Sequence, residues 1–533
     1  MSVSSLIGAR NGSQTDLRTR SLLGAAALLL AIIAIRSPGL LFGVLNVDET
    51  DFLLIARRVL AGGLPYVDAV EMKPPLAYVA YLPGALVGFR MWPMQLLGIA
   101  WMFATLWILK ATATRWTGRH DVGWAAAWLG LLAYCSDIPV VNTELLFNLP
   151  ASAALFFFVR AEKGSQGRDW FFCGLCAAIA TLFKHQAGIL IVALLLVQLW
   201  FRISDLRAHR TLPENHAEVT WVALGFALPW TLALSFYATR GELAAFWEWN
   251  LFRNLGYISV GTTGQPILRA AKAIVICVLG ATPLPWLLSL RGIRGPSDRI
   301  RTALALLLVL TWIPVCMGGR FYEHYFLQFV PPLALLGAPV LVKLWEQWPV
   351  LPPWSRLTLR GLAVLPPLAT LVVAFWLGLT HRYPTQNPRA VELARWLDAH
   401  SQPVDKLFVW GHFSPIYYLA EREPGTRYLS TSVHMGNFDP HHLPADFDAA
   451  AHRSEVDVER TIHDLELNKP PWIVDTAPAD IHDWSKVPLS KFPELADYVA
   501  THYDLVATPG GAAVYHRRAV PTFSGLSSAG MRN

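Results

Sequence analysis

Charge is scarce in this chain: Asp, Glu, Lys and Arg make up 15% of 533 residues, while 54% are hydrophobic and 22 are Trp. Soluble globular domains carry about 25% charged residues, so a purely soluble protein is excluded. Cysteine is scarce too. Cys135, Cys173, Cys176, Cys277 and Cys316 all fall inside or beside apolar runs, and none lies in the polar C-terminal region. No disulfide framework follows from that placement. Cys173 and Cys176 sit one helical turn apart in WFFCGLCAAIA and read as small packing residues. An internal repeat, a low-complexity tract and an HExxH spacing are all missing. The 44 basic and 38 acidic residues leave a net charge of +6, spread between the apolar runs. Without a basic face, nucleic acid is not an expected partner.

Apolar runs are abundant instead. Stretches near the spanning length of about 17 to 25 residues lie at 21–42, 92–110, 122–136, 144–160, 169–183, 187–202, 219–238, 267–290, 302–317, 323–343 and 361–380. The expected fold is a polytopic α-helical membrane protein with about eleven spans. The first run follows Arg18 and Arg20 but lacks a small-residue cleavage site, so it reads as an uncleaved signal anchor. Loops holding Lys110, Arg115, Arg119, then Arg160, Lys163, Arg168, then Arg291, Arg294, Arg299, Arg301 are assigned to the cytoplasm by the positive-inside rule. The alternate loops are mostly poor in Lys and Arg and face outward. By the same alternation the C-terminal region is extracytoplasmic.

From His381 to Arg518 the composition turns polar, with eleven of the sixteen His. An amphipathic RAVELARWLDAHS, short apolar KLFVW and WIVDT, and a hairpin-like YDLVATPGGAAVYHRR turning at Pro509-Gly510-Gly511 predict an α/β domain. The expected division is a membrane domain over 1–380, the α/β domain over 381–518 and a disordered tail over 519–533.

The outer loop NVDETDFLLIARRVLAGGLPYVDAVEMKPPLAYVAYL is strongly charged for its position between two apolar runs. Phe52, Ile55, Ala56 and Val59 fall at helical spacing, and Asn46 with Glu49 matches a capping box, so Asp48 and Glu49 open an amphipathic helix. Helix N-terminal N–H groups keep a carboxylate ionised, and an ionised, positioned carboxylate serves as a general base. Plain complementation of the helix dipole is the simpler alternative. Lys73 precedes Pro74-Pro75, which restricts it to extended backbone beside the N-terminus of PLAYVAYL, a place suited to an anion. A snorkelling interfacial lysine competes with that reading. On the same side lie Glu144 in NTELLFNLP, Lys184-His185-Gln186, and Arg320, Tyr322, Glu323, His324 and Tyr325 in GGRFYEHYFLQFVPP. Charges at membrane depth are costly and therefore functional or paired; a salt bridge between Glu144 and Lys184 is the structural alternative. Acids and cations on one face suit transfer of a group from a phosphate. A metal site is the weaker reading, because Glu323-His324 and His441-His442 lack spaced partners.

Together, DETDFLLIARRVLAGGLPYVDAVEMKPPLAYV, NTELLFNLPA, FKHQAG and GRFYEHYFLQFVPPLALLGA resemble the GT-C fold glycosyltransferases of the protein-mannosyltransferase and ArnT-like group, over about Val47 to Ala338. The resemblance implies a polyprenyl-monophosphate sugar as donor and a glycolipid, lipopolysaccharide, polysaccharide or protein hydroxyl as acceptor. It places the enzyme in the cell inner membrane with its site outside, and requires no cofactor, a divalent metal being the secondary possibility. It also implies Asp48 as base, with Glu49 orienting acceptor or sugar. Lys73 and Arg320 would hold the lipid phosphate, with Lys184 and Arg240 as further cation candidates. Glu144, Tyr66, Tyr322, His324 and Trp247 would be substrate contacts. The outer loop RGELAAFWEWNLFRNLGYISVG, with Trp247, Trp249, Phe252 and Tyr257, reads by its aromatics either as an acceptor-side lid or equally as a plain interfacial helix. The reaction is then a single inverting displacement. A transporter or flippase of lipid-linked sugars is the rival function; it predicts repeats, or broken helices with charges at the bilayer midplane.

Overall fold

In the computed structural model of the protein the described residues are 3–164, 167–208, 217–259, 266–436, 438, 440–443 and 446–519. The chain divides into two compact units, Met1–Gln386 and Asn387–Asn533. The tail expected over 519–533 lies, from residue 520 on, outside the described residues.

All eleven apolar runs are helical. Among the described residues eight are long and apolar enough to cross a membrane: Ser21–Phe42, Trp92–Thr117, Thr143–Glu162, His185–Arg207, Glu218–Ala238, Arg299–Gly319, Glu323–Glu346 and Pro353–Gln386. A ninth run is the pair Pro266–Ala281 and Pro283–Ile293, bent by 91°. The bend has a local cause, since Pro283 offers no N–H and pushes Thr282 out of the helical region, to φ −132° and ψ 39°. The last two helices, His120–Ala133 and Gly167–Phe183, are shorter, at 14 and 17 residues.

Lipid tails give apolar helices no reason to prefer each other, so spans associate through small residues that let backbones approach. Helices Gly167–Phe183 and Ala217–Ala238 meet in this way. A Cβ built on Gly174 would stand 2.0 Å from Val222 O, and one on Gly225 2.0 Å from Phe171 O.

The first outer loop forms the expected helix, Val47–Leu60, with its capping box in place at Asn46 and Glu49. Val47 and every residue from Glu49 to Ala56 are buried, so this helix is packed into protein on several faces rather than resting on the membrane surface. PLAYVAYL follows as two short turns, Leu76–Val79 and Leu82–Leu86.

The second unit is α/β. Its five strands are β1 Lys406–Trp410, β2 Glu423–Pro424, β3 Trp472–Asp475, β4 Tyr503–Ala507 and β5 Ala513–Arg517, in the order β2-β1-β3-β5-β4. β2, β1 and β3 run parallel, while β5 is antiparallel to both β3 and β4. Central β3 is buried at every position, as expected of a strand covered on both faces. Phe408, Trp410, Ile473, Trp484, Phe492 and Leu495 centre its core. The hairpin turns at Pro509–Gly511, where Gly510 and Gly511 take φ of 60° and 85°.

The contact at Gly174 generates a test. Gly174→Leu is expected to destabilise the protein by about 1–3 kcal/mol or more, because a rigid carbonyl blocks the side chain. Gly361→Leu, whose Cβ meets nothing closer than 3.9 Å, should melt like the wild type in detergent. Equal melting of the two variants would contradict the packing described.

Candidate active site

Glu49 is fully buried, and protein donors occupy its carboxylate. Oε2 accepts from Leu45 N (2.7 Å) and Asn46 N (3.1 Å), and Oε1 accepts from Val141 N (2.9 Å) and Gln95 Nε2 (3.3 Å). Gln95 Oε1 in turn accepts from Arg36 Nη2 (3.1 Å). Gly39 and Gly98 make room for this pair, since a Cβ on either would stand 2.3 Å from Gln95 Oε1 or 2.5 Å from Arg36 Nη2. Burial pushes the Glu49 carboxyl up, while the N–H groups of Val141, Leu45 and Asn46 and the Arg36 charge pull it down. Tyr81 donates its hydroxyl to Val141 O. The loop before helix Thr143–Glu162 is thus held at both backbone atoms of Val141 by the first outer loop. Glu49, expected to orient acceptor or sugar, has both carboxylate oxygens engaged by these protein donors.

Asp48 differs from its neighbour. It is partly exposed, and its N–H donates to Asn46 Oδ1 (2.9 Å). Among the described residues its carboxylate accepts no hydrogen bond, yet its charge acts on Lys184, His324 and Tyr325.

Lys73 is fixed through its backbone. Tyr66 and Tyr78 both donate to Lys73 O (2.7 and 2.8 Å), and Lys73 N donates to Glu71 Oε2 (2.7 Å). Its Nζ lies 3.4 Å from Glu71 Oε1, with both side chains partly exposed. Tyr66, expected among the substrate contacts, is 1% exposed and boxed by Tyr78, Tyr237 and Phe246. Its hydroxyl holds Lys73 in place.

Glu144 and Lys184 form a buried ion pair, the structural alternative open from the sequence. Lys184 Nζ also stands 4.5 Å over the Tyr325 ring, and His324 Nε2 lies 4.0 Å from Glu144 Oε1. Tyr322 stacks on His324 at 5.5 Å. Arg320 is buried between left-handed residues, Gly318 and Gly319 on one side and Phe321 at φ 53° on the other. The charges of Lys73, Arg320, Asp48 and Glu144 all act on buried Tyr325. The first outer loop and the segments at Glu144 and Lys184 therefore lie within electrostatic reach of the segment that carries Arg320 and Tyr325.

For two further expected residues the contacts among the described residues are local ones. Arg240 lies 3.7 Å over the Phe236 ring and donates to Phe236 O (3.0 Å). Trp247, half-buried, packs on Phe246 at 5.5 Å, and Phe246 in turn packs on Tyr66 at 5.7 Å. The side chain of Tyr257, in the same aromatic loop, lies outside the described residues.

Sequence reasoning named Tyr325 without giving it a role, and it missed Asp137 and the Arg36–Gln95 pair. Burial pushes the Asp137 carboxyl well up, and the charges of Glu323, Glu144 and Glu49 push it further, so it belongs to the acidic side of the cluster. The signal was available: an acid seven residues before Glu144 in a loop with no base. Among the described residues no three His, Cys, Asp or Glu side chains gather so as to hold a metal ion.

Residues 72–233 match the family model of dolichyl-phosphate-mannose-protein mannosyltransferases. That stretch includes Lys73, Glu144 and Lys184 and omits Asp48 and Arg320. The fold is similar to that of ArnT from Cupriavidus metallidurans bound to undecaprenyl phosphate, at TM-score 0.60 and 14% identity over 95% of this chain and 99% of that one. It is also similar to the Archaeoglobus fulgidus oligosaccharyltransferase tethered to an acceptor peptide, at TM-score 0.51 and 11% identity over 94% of this chain and 74% of that one. A third likeness is to the archaeal oligosaccharyltransferase AglB, also from Archaeoglobus fulgidus, in complex with an inhibitory peptide and a dolichol-phosphate, at TM-score 0.50 and 12% identity over 94% and 75%. No curated protein sequence matches the chain. The fold resemblance to GT-C glycosyltransferases spans both units.

Removing one partner of a buried ion pair strands the other charge, at about 3–5 kcal/mol, whereas replacing both is far milder. Glu144→Gln and Lys184→Met are each expected to lower the melting temperature in detergent, and the double variant to recover most of the loss. Independent, additive losses would mean the two charges are not coupled.

Proposed function

We propose that the protein is a membrane glycosyltransferase that moves a sugar from a polyprenyl-monophosphate donor to an acceptor hydroxyl. One observation carries this reading: Asp48, whose carboxylate accepts no hydrogen bond among the described residues, shares the Tyr325 cluster with Lys73, Lys184 and Arg320. The relatives' bound undecaprenyl phosphate, dolichol-phosphate and acceptor peptide support a lipid-linked donor and a separate acceptor. The enzyme lies multi-pass in the cell inner membrane, with this cluster and the second unit extracytoplasmic, an orientation that rests on the Lys and Arg distribution of the loops.

In the mechanism Asp48 takes the proton of the acceptor hydroxyl as its oxygen bonds to the anomeric carbon. The bond from that carbon to the phosphate oxygen breaks on the opposite face, giving inversion. Lys73 and Arg320 take up the charge gathering on the departing polyprenyl phosphate, and donors positioned for developing charge are the effective ones. Lys184, neutralised by Glu144, sets the position of Tyr325 and tunes the field. Tyr322 and His324 present a stacked aromatic face to a sugar, while Tyr66 works through Lys73. The acceptor is a hydroxyl of a glycolipid, lipopolysaccharide, polysaccharide or protein.

The broken span at Thr282 is the feature that invites the transporter reading, since transporters bind cargo at such breaks. Here the break lies in IVICVLGATPLPW, which carries no ionisable side chain except Cys277. It offers no grip on an anionic lipid-linked sugar.

The test is transfer by purified protein from a panel of polyprenyl-phosphate sugars. Asp48→Asn is expected to lower kcat by about 10²–10⁴-fold, the usual contribution of a general base, with melting unchanged. Lys73→Gln is expected to cost about 10–100-fold in kcat/KM for the donor, the worth of a hydrogen bond to a charged group. A folded Asp48→Asn variant that transfers at the wild-type rate would remove Asp48 as the base.

A further inference from the structure

The C-terminal unit gathers histidines where its sheet has a natural binding edge. In open α/β sheets, ligands bind in the crevice beyond the carboxyl ends of parallel strands. β1, β2 and β3 are parallel, and the segments after them deliver His412, His441 and His482 respectively. The Nε2 atoms of His441 and His482 are 3.1 Å apart, and their rings are nearly perpendicular at 4.1 Å. His441 Nδ1 is 2.5 Å from Asp483 Oδ2. The His412 ring lies 5.5 Å from that of His482, and its Nδ1 is engaged by Ser430 Oγ. Asp480, His482 and Asp483 all have left-handed backbone, at φ 47°, 62° and 59°. Such a run of non-glycine residues persists only where the surroundings impose it. His441 and Asp483 are 39% and 62% exposed, so the place is open to solvent.

We propose that His441 and His482 are the preorganised half of a binding site for a divalent transition-metal ion of the zinc class, with His412 as the third ligand and Asp483 as the outer partner of His441. The spacing fits. Two nitrogens about 2.0–2.1 Å from one zinc ion, at an angle between square and tetrahedral, stand about 2.9–3.4 Å apart. The Asp483 contact fits as well: a carboxylate on Nδ1 fixes the proton there and leaves the Nε2 lone pair for a metal, the usual outer partnership of a ligating histidine. Among the described residues no three ligating side chains already converge, so the ion itself draws in His412 and completes its shell with water. The sequence hid this arrangement because the partner of His441 is 41 residues away, in a different loop, at no motif spacing.

The experiment uses the full-length protein in detergent, freed of any affinity tag and stripped with a chelator, titrated with Co²⁺ and read by visible absorption. One equivalent of Co²⁺ is expected to bind with the intense bands of a four- or five-coordinate ion and to be displaced by Zn²⁺. His441→Ala and His482→Ala should abolish the bands, Asp483→Asn should weaken binding about 10–100-fold, and His412→Ala should weaken it too. His463→Ala, a change at a side chain 70% exposed, should bind normally. The proposal is overturned if the wild type takes up no stoichiometric metal, or if uptake survives the loss of both His441 and His482; the 3.1 Å contact is then an imidazole–imidazole hydrogen bond and nothing more.

Discussion

The candidate site depends on the frame that Glu49 makes. A carboxylate removed from water is expensive, several kcal/mol even after relaxation, and this one is tolerated because N–H groups from Leu45, Asn46 and Val141 and the Gln95 amide all point at it. Arg36 stands behind Gln95 and balances the charge from inside the first span. The arrangement joins that span, the start of the first outer helix, helix Trp92–Thr117 and the loop ahead of Glu144. Asp48 precedes Glu49 in the chain, so fixing Glu49 fixes the backbone that carries Asp48. In the proposed mechanism the two adjacent acids divide the work, Glu49 as scaffold and Asp48 as base.

The cations are arranged on a similar division of labour. Lys184 is bound to Glu144 and packed on Tyr325, so its charge is largely spent inside the protein. Lys73 is held by its backbone, through Tyr66, Tyr78 and Glu71, which leaves a partly exposed ammonium at a defined place. Preorganisation of this kind matters most in transfer from a phosphate, where the protein contributes position and field more than covalent chemistry.

The legible parts of the sequence were those governed by local rules. The eleven apolar runs, the capping box at Asn46 and Glu49, KLFVW, WIVDT and the hairpin at Pro509 to Gly511 all follow from periodicity, caps and turn chemistry, and all are present. Asp48, Lys73, Glu144, Lys184, Arg320 and His324 were legible as charges out of place near a membrane. What was hidden depends on tertiary contact. Glu49 could not be told from Asp48 without Val141 and Gln95. Arg36 and Gln95 sit inside apolar runs where no motif marks them, and the room made by Gly39 and Gly98 appears only once two helices cross. The two-residue strand β2 has no sequence pattern of its own; pairing with β1 creates it.

The proposed mechanism needs the lipid phosphate at Lys73 and Arg320, with the sugar between it and Asp48. The most direct measurement is a structure of the wild-type protein in lipid nanodiscs with a polyprenyl monophosphate bound. The phosphate is predicted within hydrogen-bonding reach of Lys73 Nζ and the Arg320 guanidinium, with the Asp48 carboxylate facing it across a sugar-sized gap. A phosphate bound elsewhere, with Lys73 and Arg320 unchanged in their contacts, would contradict the account.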